Sequence, residues 1–361
     1  MAFRFGRVRF RWRFWALVLL TVAGVGGYAY AASAAPSGAE AAKARRTRFR
    51  LWMKALCPQW FRGGAAVHGW YAFEAGEWSR PEGTLARRLV LLVHGVDESG
   101  HLWRSMAPAL AEAGFPVCKL RYPNDQPIHD STVFFFEHLQ SLRACGVEEA
   151  VIVAHSMGGL VSRDLLTDPE LDYAGQVAAG SVPRIKSLIM LGTPNAGSEL
   201  ARIRILGEFR DQWTRFLQGE GHLLSGLADG VGEAKFDLLP DSPFLKRLNA
   251  RPHPASVSYT VIAGIASPLT RRRLDETIAE WRRAGFFESV PALVRLQQDL
   301  EELTEGIGDG AVSLASTRLP GVADHVTVAG NHLSMLRNMT PWSKRVPPAV
   351  PIVVDRVRGA W

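Results

Sequence analysis

Cysteine is scarce in this chain, which has three in 361 residues: Cys57, Cys118 and Cys145. So small and irregular a set excludes a disulfide framework, and the lack of any C-x-x-C pair removes one common kind of metal site. In an oxidising compartment at most two of the three could pair. The simplest interpretation is three small side chains buried in a core.

Metal and nucleotide motifs are absent as well. No H-E-x-x-H segment occurs, and histidines such as His101, His129 and His253 lack the spacing of metal ligands. There is no G-x-x-x-x-G-K-S/T loop to hold a phosphate chain. We therefore expect a protein that works without a metal, a nucleotide or another cofactor.

Acidic residues are nearly missing from the first fifty positions, which hold ten lysines and arginines but a single acid, Glu40. This segment carries a charge of +9 whereas the whole chain carries +7, so the remaining residues sum to −2. The basic character belongs to the N-terminus, which argues against a nucleic-acid-binding body. A hydrophobic content of 47% also excludes wholesale disorder.

An uncharged run at 14–33 follows five arginines and, at about 20 residues, can just cross the hydrocarbon core of a bilayer. Arginines before such a run favour a cytoplasmic N-terminus. Small residues at 31–35 offer cleavage sites of the A-x-A type. We predict that residues 1–35 form a signal peptide or a membrane anchor, and that the protein is exported, either membrane-anchored or secreted or periplasmic. A second basic cluster at 43–50 opposes export, since the positive-inside rule keeps such charges in the cytoplasm.

From about residue 87, short apolar runs alternate with helical patterns. The apolar runs lie at 89–93, 150–154, 188–191, 259–263 and 326–329, and the helical patterns at 102–113, 131–145 and 158–166. Runs without alternation are typical of strands covered on both faces, as in parallel sheets. The order predicts a doubly wound α/β domain with a mostly parallel sheet, whose reactive groups lie beyond the carboxyl ends of the strands.

The same patterns predict the domain organisation. Residues 36–60 are interpreted as a solvated basic linker and 61–361 as the α/β domain, which could include an edge strand at 67–73. Two segments interrupt the alternation. Residues 198–249 are predicted to be a cap insertion, either a mobile lid or a helix packed permanently on the body, and 267–304 a charged helical insertion.

The segment Ala154-His155-Ser156-Met157-Gly158 stands directly after an apolar run and directly before a helical pattern. A serine hydroxyl needs exposure and a base to act as a nucleophile, and a sharp turn from strand to helix supplies the exposure. Such a turn requires small residues two positions before and after the serine, as Ala154 and Gly158 are. We predict that Ser156 is the nucleophile; the alternative is a serine that only caps the helix.

Three stretches carry a resemblance to known enzymes. The segment 154–159 and the pair His94-Gly95 resemble the lipase and esterase branch of the α/β-hydrolase family. The stretch 192–198, G-T-P-N-A-G-S, is similar to a segment of bacterial lipases and GPI-inositol-deacylase-like proteins, and 240–249 is similar to another lipase segment. The resemblance covers roughly residues 87–340 and implies an α/β-hydrolase fold with ester hydrolysis. Its departures are alanine for the usual glycine at position 154 and a longer insertion before the acid.

In this fold the acid and then the base follow the serine along the chain. We predict His332, just beyond the last apolar run, as the base in preference to His325, which opens that run. His155 is predicted to pack beside the turn, since adjacent residues there point apart. Asp309 is predicted to be the acid that orients the imidazole, because its G-D-G-A-V segment precedes the base and resembles the acid loop of the family. The alternatives are Asp324 as the acid, or a plain Asx turn at position 309.

A tetrahedral intermediate needs hydrogen-bond donors aimed at its oxyanion. The first predicted donor is the backbone N–H of Met157, the residue after the nucleophile. The resemblance implies that the second is the N–H of Val96, in the loop after the run at 89–93, with His94 bracing that loop. A plain turn is the alternative for His94-Gly95.

Together these residues predict a serine hydrolase that cleaves carboxylic esters through an acyl-enzyme. Apolar residues of the predicted cap favour a lipid or another hydrophobic acyl ester as the substrate; they are Phe209, Trp213, Phe216 and Leu217. The alternatives are an acyltransferase or amidase with the same triad, or a non-catalytic binding protein. We expect membrane contact through the N-terminal segment and no nucleic-acid partner, and the oligomeric state is left open.

Export is tested by fusing alkaline phosphatase to the C-terminus of the full chain. The disulfides of this reporter form only in an oxidising compartment, so we expect an active fusion. Deletion of residues 1–35 is expected to abolish the activity. A fusion that is expressed at the normal level and stays inactive would contradict the predicted leader.

Overall fold

The computed structural model describes residues 68–96, 101–124, 126–198, 233–266, 308–338 and 343–361. The predicted leader, linker and charged insertion at 267–304 lie outside these ranges, as does the predicted cap from 199 to 232. The N-terminal and insertion boundaries therefore stay predictions. No helix within the described ranges is both long and apolar enough to span a bilayer.

An eight-stranded sheet forms the centre of the described part. Its strands in chain order are β1 (Gly69–Glu74), β2 (Glu77–Ser79), β3 (Arg88–Val93), β4 (Val117–Arg121), β5 (Glu149–His155), β6 (Arg184–Leu191), β7 (Ser258–Gly264) and β8 (His325–Val328). Their order across the sheet is β2-β1-β4-β3-β5-β6-β7-β8. The strands from β4 to β8 in that order are parallel, and β1 is antiparallel to both β2 and β4.

Helices cover both faces of the sheet. After a 3-10 turn at Leu102–Arg104 they are α1 (Met106–Glu112), α2 (Ile128–Ala144), α3 (Met157–Thr167), α4 (Tyr173–Ala178), α5 (Glu233–Asp237), α6 (Pro243–Asn249), α7 (Leu314–Thr317) and α8 (Ala349–Ala360). The helices α2, α3 and α6 contribute to the core on one face, and α1 and α8 to the core on the other. This is the predicted doubly wound α/β architecture.

The central strand β5 shows why its apolar run has no polar alternation. Successive side chains of a strand point to opposite faces. Ala150 and Ile152 lie in the core beneath α2 and α3, whereas Val151 and Val153 lie in the core beneath α1 and α8. Since both faces are buried, every position of the strand is apolar.

Most elements lie where the sequence predicts them, with three differences. All five apolar runs are strands. The predicted helix at 102–113 is instead a 3-10 turn followed by α1. The predicted edge strand at 67–73 is β1, but it pairs on both sides, and the short β2 forms the edge. The strand β4 was not predicted, because Lys119 and Arg121 interrupt its apolar pattern.

Both described cysteines are free thiols. Cys118 in β4 is buried, Cys145 at the end of α2 is half-buried, and Cys57 lies outside the described residues. Burial raises the pKa of the Cys118 thiol to about 12, which leaves it protonated and unreactive at neutral pH. The interpretation of these two as structural residues fits their surroundings.

Candidate active site

Ser156 lies at a sharp turn between β5 and α3. Its backbone has φ of +53° and ψ of −129°, a strained combination for a residue other than glycine. The chain passes very close to the end of β3 here, since a methyl group on Gly158 would lie 2.5 Å from the carbonyl oxygens of Val93 and His94. The small residue predicted at position 158 is therefore a steric requirement of the turn.

Asp309 and His332 form a hydrogen-bonded pair. His332 Nδ1 lies 2.7 Å from Asp309 Oδ2. The other carboxylate oxygen accepts the backbone N–H groups of Ala311 and Val312 at 2.9 and 2.8 Å, and only 1% of Asp309 is exposed. With Nδ1–H donating to the carboxylate, Nε2 carries the lone pair that a general base needs.

The end of β6 brings these groups close to the serine. The N–H of Ser156 donates to the carbonyl oxygen of Leu191 at 2.9 Å. A methyl group on the next residue, Gly192, would lie 2.8 Å from Asp309 Oδ2 and 3.0 Å from His332 Nδ1. No hydrogen bond joins Ser156 Oγ to the His332 ring among the described residues, and such bonds often tighten only when substrate binds. The serine–histidine contact itself stays a prediction.

His155 connects the serine turn to the loop that carries His332. Its Nε2 lies 3.0 Å from the carbonyl oxygen of His332, and the two rings are 4.5 Å apart between centroids. Because a carbonyl only accepts, Nε2 carries the hydrogen. Burial holds the pKa of His155 well below its ordinary value of 6.5, so the ring is neutral. This arrangement agrees with the expectation that His155 packs beside the turn.

The competing residues lie at the amino end of β8, the opposite end of the sheet from Ser156. His325 Nε2 lies 3.0 Å from Thr317 Oγ1. Asp324 accepts hydrogen bonds from Thr260 Oγ1 at 2.7 Å and Arg356 Nε at 2.8 Å. The hydrogen bond from Arg356 lowers the pKa of Asp324. Both residues have structural partners of their own.

The loop predicted to supply the oxyanion donors touches the serine. A methyl group on Gly95 would lie 2.8 Å from Ser156 Cβ and 3.3 Å from Ser156 Oγ. Val96 follows in the same loop. Met157 is the first residue of α3, where the N–H has no acceptor within the helix. Their roles as oxyanion donors stay predictions.

The polar residues of the segment 192–198 each bond to a different part of the fold. Thr193 Oγ1 donates to the carbonyl oxygen of Ser156 at 3.0 Å. Asn195 Nδ2 donates to that of Thr317 at 2.7 Å, and Ser198 Oγ to that of Ala311 at 2.6 Å. The segment therefore fastens the serine turn to the region around the acid.

Arg163 is a buried cation that the sequence did not single out. Only 1% of it is exposed; Nη1 donates to Asn195 Oδ1 at 3.0 Å and Nη2 to Asn249 Oδ1 at 2.9 Å. Burial lowers its pKa to about 10. It joins α3 to the 192–198 segment and to α6. The sequence held one sign of this role: Arg163 is a charged residue within a mostly apolar helical pattern.

Three further side chains come together although their spacing in the sequence gave no sign of it. Ligand atoms of His129, Asp164 and Asp168 lie within 4.8 Å of one another. Arg251 already pairs with Asp164 at 2.6 Å and with Asp168 at 3.1 Å. Burial by itself raises the pKa of Asp164, but its hydrogen bond with His129 and the charges of His129 and Arg251 outweigh this and lower it. We interpret the cluster as an ion-pair network.

Comparison with known proteins gives a consistent result. A family model described as the alpha/beta hydrolase fold matches residues 88–228. Epoxide hydrolase A of Mycobacterium tuberculosis is 24% identical over 279 residues, which are 70% of this chain and 78% of that protein. The crystal structure of the mature lipase BlEst2 from Bacillus licheniformis superposes with a TM-score of 0.50 at 18% identity, covering 80% of this chain and 97% of that one. At this identity the structural likeness speaks for the fold alone.

The buried, neutral state of His155 predicts a pH dependence of stability. As the pH falls below 6.5, this histidine binds a proton in the unfolded chain but stays neutral in the folded chain. The free energy of unfolding therefore falls by up to about 1.4 kcal/mol per pH unit. His155→Gln keeps an amide that can donate to His332 and removes the titration. Urea unfolding between about pH 7 and pH 5 should show a shallower decline in this variant. Equal declines in both proteins would contradict the assignment.

Proposed function

We propose that this chain, whose residues 88–228 match the alpha/beta hydrolase family model, is a serine hydrolase of carboxylic esters that acts through an acyl-enzyme. The proposed nucleophile is Ser156, with His332 as the general base and Asp309 as the acid. The backbone N–H groups of Met157 and Val96 are the proposed oxyanion donors. No metal or cofactor takes part in the proposed mechanism.

The observation that carries the proposal is the pairing of Asp309 with His332 at the edge of the sheet where Ser156 lies. Two backbone N–H groups fix the carboxylate of Asp309. This carboxylate in turn holds the imidazole of His332 in the tautomer that accepts a proton at Nε2. The segment 192–198 joins this pair to the serine turn. A binding protein without chemistry has no need of this combination.

In the proposed reaction Ser156 Oγ attacks the ester carbonyl carbon as its proton moves to His332 Nε2. The tetrahedral intermediate carries its negative charge on the former carbonyl oxygen, between the two oxyanion donors. Collapse breaks the bond to the alcohol, which takes the proton from His332 and leaves an acyl-serine. Water then repeats the sequence, with His332 accepting its proton, and releases the carboxylic acid and free Ser156.

We propose a lipid or another hydrophobic acyl ester as the substrate. The apolar residues in the predicted cap support this choice, and so does the lipase among the structures that share the fold. The predicted leader would place such an enzyme outside the cytoplasm, close to its substrate at a membrane.

Three other reactions use the same fold or the same residues. An acyltransferase or amidase differs only in the group that accepts the acyl chain or leaves it, and product analysis with added alcohols or with amide substrates separates these cases. Epoxide opening is a candidate reaction because the 24% identical relative is an epoxide hydrolase by name. Styrene oxide should therefore be assayed beside the esters, and turnover of the epoxide alone would replace the ester proposal.

The nucleophile is tested with a fluorophosphonate probe, which reacts with activated serine hydroxyls. We expect labelling of the full chain and complete loss of labelling in Ser156→Ala. Ser343→Ala is the matched control, since Ser343 is also a partly exposed serine but does not lie at a turn between a strand and a helix. Labelling that survives in Ser156→Ala would contradict the proposed nucleophile.

A second prediction concerns the space between β6 and the Asp309–His332 pair. Gly192→Ala would place a methyl group against both side chains and should slow fluorophosphonate labelling at least about tenfold, since small displacements of catalytic groups have large effects. Gly180→Ala is the control, because Gly180 has a similar left-handed backbone but nothing within 4 Å of the added carbon. Each substitution costs about 1–2 kcal/mol of backbone strain. Equal labelling rates in the two variants would contradict the close packing.

The substrate class is tested with p-nitrophenyl esters of increasing acyl length. An apolar acyl site gains about 0.8 kcal/mol per buried methylene, so kcat/KM should rise from the acetate to longer chains. A preference for the acetate would count against a hydrophobic substrate and leave the nucleophile assignment intact.

A further inference from the structure

Two side chains just after β4 donate hydrogen bonds to the loop that holds the proposed oxyanion donor Val96. Tyr122 Oη donates to the carbonyl oxygen of His94 at 2.5 Å. Asn124 Nδ2 donates to the carbonyl oxygen of Gly95 at 3.0 Å. Neither residue belongs to the segments that carry the family resemblance.

The Gly95 carbonyl accepts a second hydrogen bond from the same loop. His94 Nδ1 lies 2.8 Å from it, and the His94 ring stacks on Tyr122 with centroids 4.3 Å apart. Since the carbonyl can only accept, Nδ1 carries the hydrogen. Burial lowers the pKa of His94 to about 4, so this neutral tautomer persists at neutral pH. Both lone pairs of the Gly95 oxygen therefore have a donor.

The orientation of this carbonyl decides where the next N–H points. A peptide unit is planar and trans, so the N–H of Val96 is antiparallel to the C=O of Gly95. With the carbonyl held by Asn124 and His94, the Val96 N–H is directed away from them. A rotation of this peptide by half a turn would present an oxygen where the proposed mechanism needs a donor.

We propose that Asn124, assisted by Tyr122, is a positioning residue that presets the Gly95–Val96 peptide as one half of the oxyanion hole. This inference rests on the proposed serine hydrolase function. Donors that are oriented before the reaction stabilise the oxyanion without reorganisation, and one such donor changes kcat about 100-fold to 1000-fold. Asn124 would not touch the substrate, and its effect would pass through the Val96 N–H.

The test uses Asn124→Asp in the full chain. This change keeps the size and shape of the side chain but replaces its only donor with an acceptor, which repels the Gly95 carbonyl. Gln126→Glu is the matched control. It makes the same chemical change two residues later, where the amide lies 3.5 Å from Ser131 Oγ. Asn124→Ala is a second variant, in case the aspartate prevents folding.

We expect Asn124→Asp to lower kcat for a p-nitrophenyl ester about 100-fold with KM changed less than about twofold. Gln126→Glu should stay within about twofold of the unchanged protein in both. Because sulfur is a weak hydrogen-bond acceptor, an oxyanion hole that has lost a donor also loses its preference for an ester over the matching thionoester. That preference should fall at least about tenfold in both Asn124 variants. A lower kcat with the preference intact would overturn the inference.

The outcomes separate this inference from the proposed function. If fluorophosphonate labels Ser156 and the Asn124 variants behave like Gln126→Glu, the inference fails and the serine hydrolase stands. If the unchanged protein is neither labelled nor active on esters, the proposed function fails. The oxyanion role of Asn124 fails with it, and the crystal structure of Asn124→Asp then decides only whether Asn124 orients the Gly95–Val96 peptide: a turned peptide supports this orienting role, and an unchanged peptide overturns it.

Discussion

The backbone at Gly158 approaches the end of β3 so closely that no side chain fits between them, and the rest of the site depends on this contact. Carbonyl oxygens of Val93 and His94 would lie 2.5 Å from a methyl group at position 158. The same approach places Gly95 against the serine side chain. It fixes the serine turn relative to the loop that carries Val96, so the nucleophile and one proposed donor share a single rigid junction.

Parallel pairing extends this junction across the sheet. The strands β3, β5, β6 and β8 all end at one edge, so the loops after them meet there although they are far apart in the chain. Thr193 bonds to the serine turn, Asn195 to the end of α7 and Ser198 to the acid loop. His155 adds a bond from β5 to the His332 loop. Backbone atoms supply most of the acceptors, so the site is held by the fold more than by side-chain pairs.

The sequence was sufficient for features that depend on local pattern. Five apolar runs predicted five strands, and the small residues around Ser156 predicted the turn. The strand β4 was missed because Lys119 and Arg121 alternate with its apolar residues. Tyr122 and Asn124 were missed for another reason. Their partners are backbone carbonyl oxygens distant in sequence, and such contacts leave no spacing or composition that can be recognised before the chain is folded.

Asp309 obtains its orientation from its own loop. The N–H groups that hold one carboxylate oxygen belong to Ala311 and Val312, and the carbonyl of Asp309 accepts the N–H of His332. None of these bonds involves the stretch of chain between β7 and Gly308. Insertions or deletions in that stretch would therefore leave the carboxylate aimed at its histidine. The acid loop orients its carboxylate without hydrogen bonds to that stretch, so the polypeptide just before it can change in length during evolution.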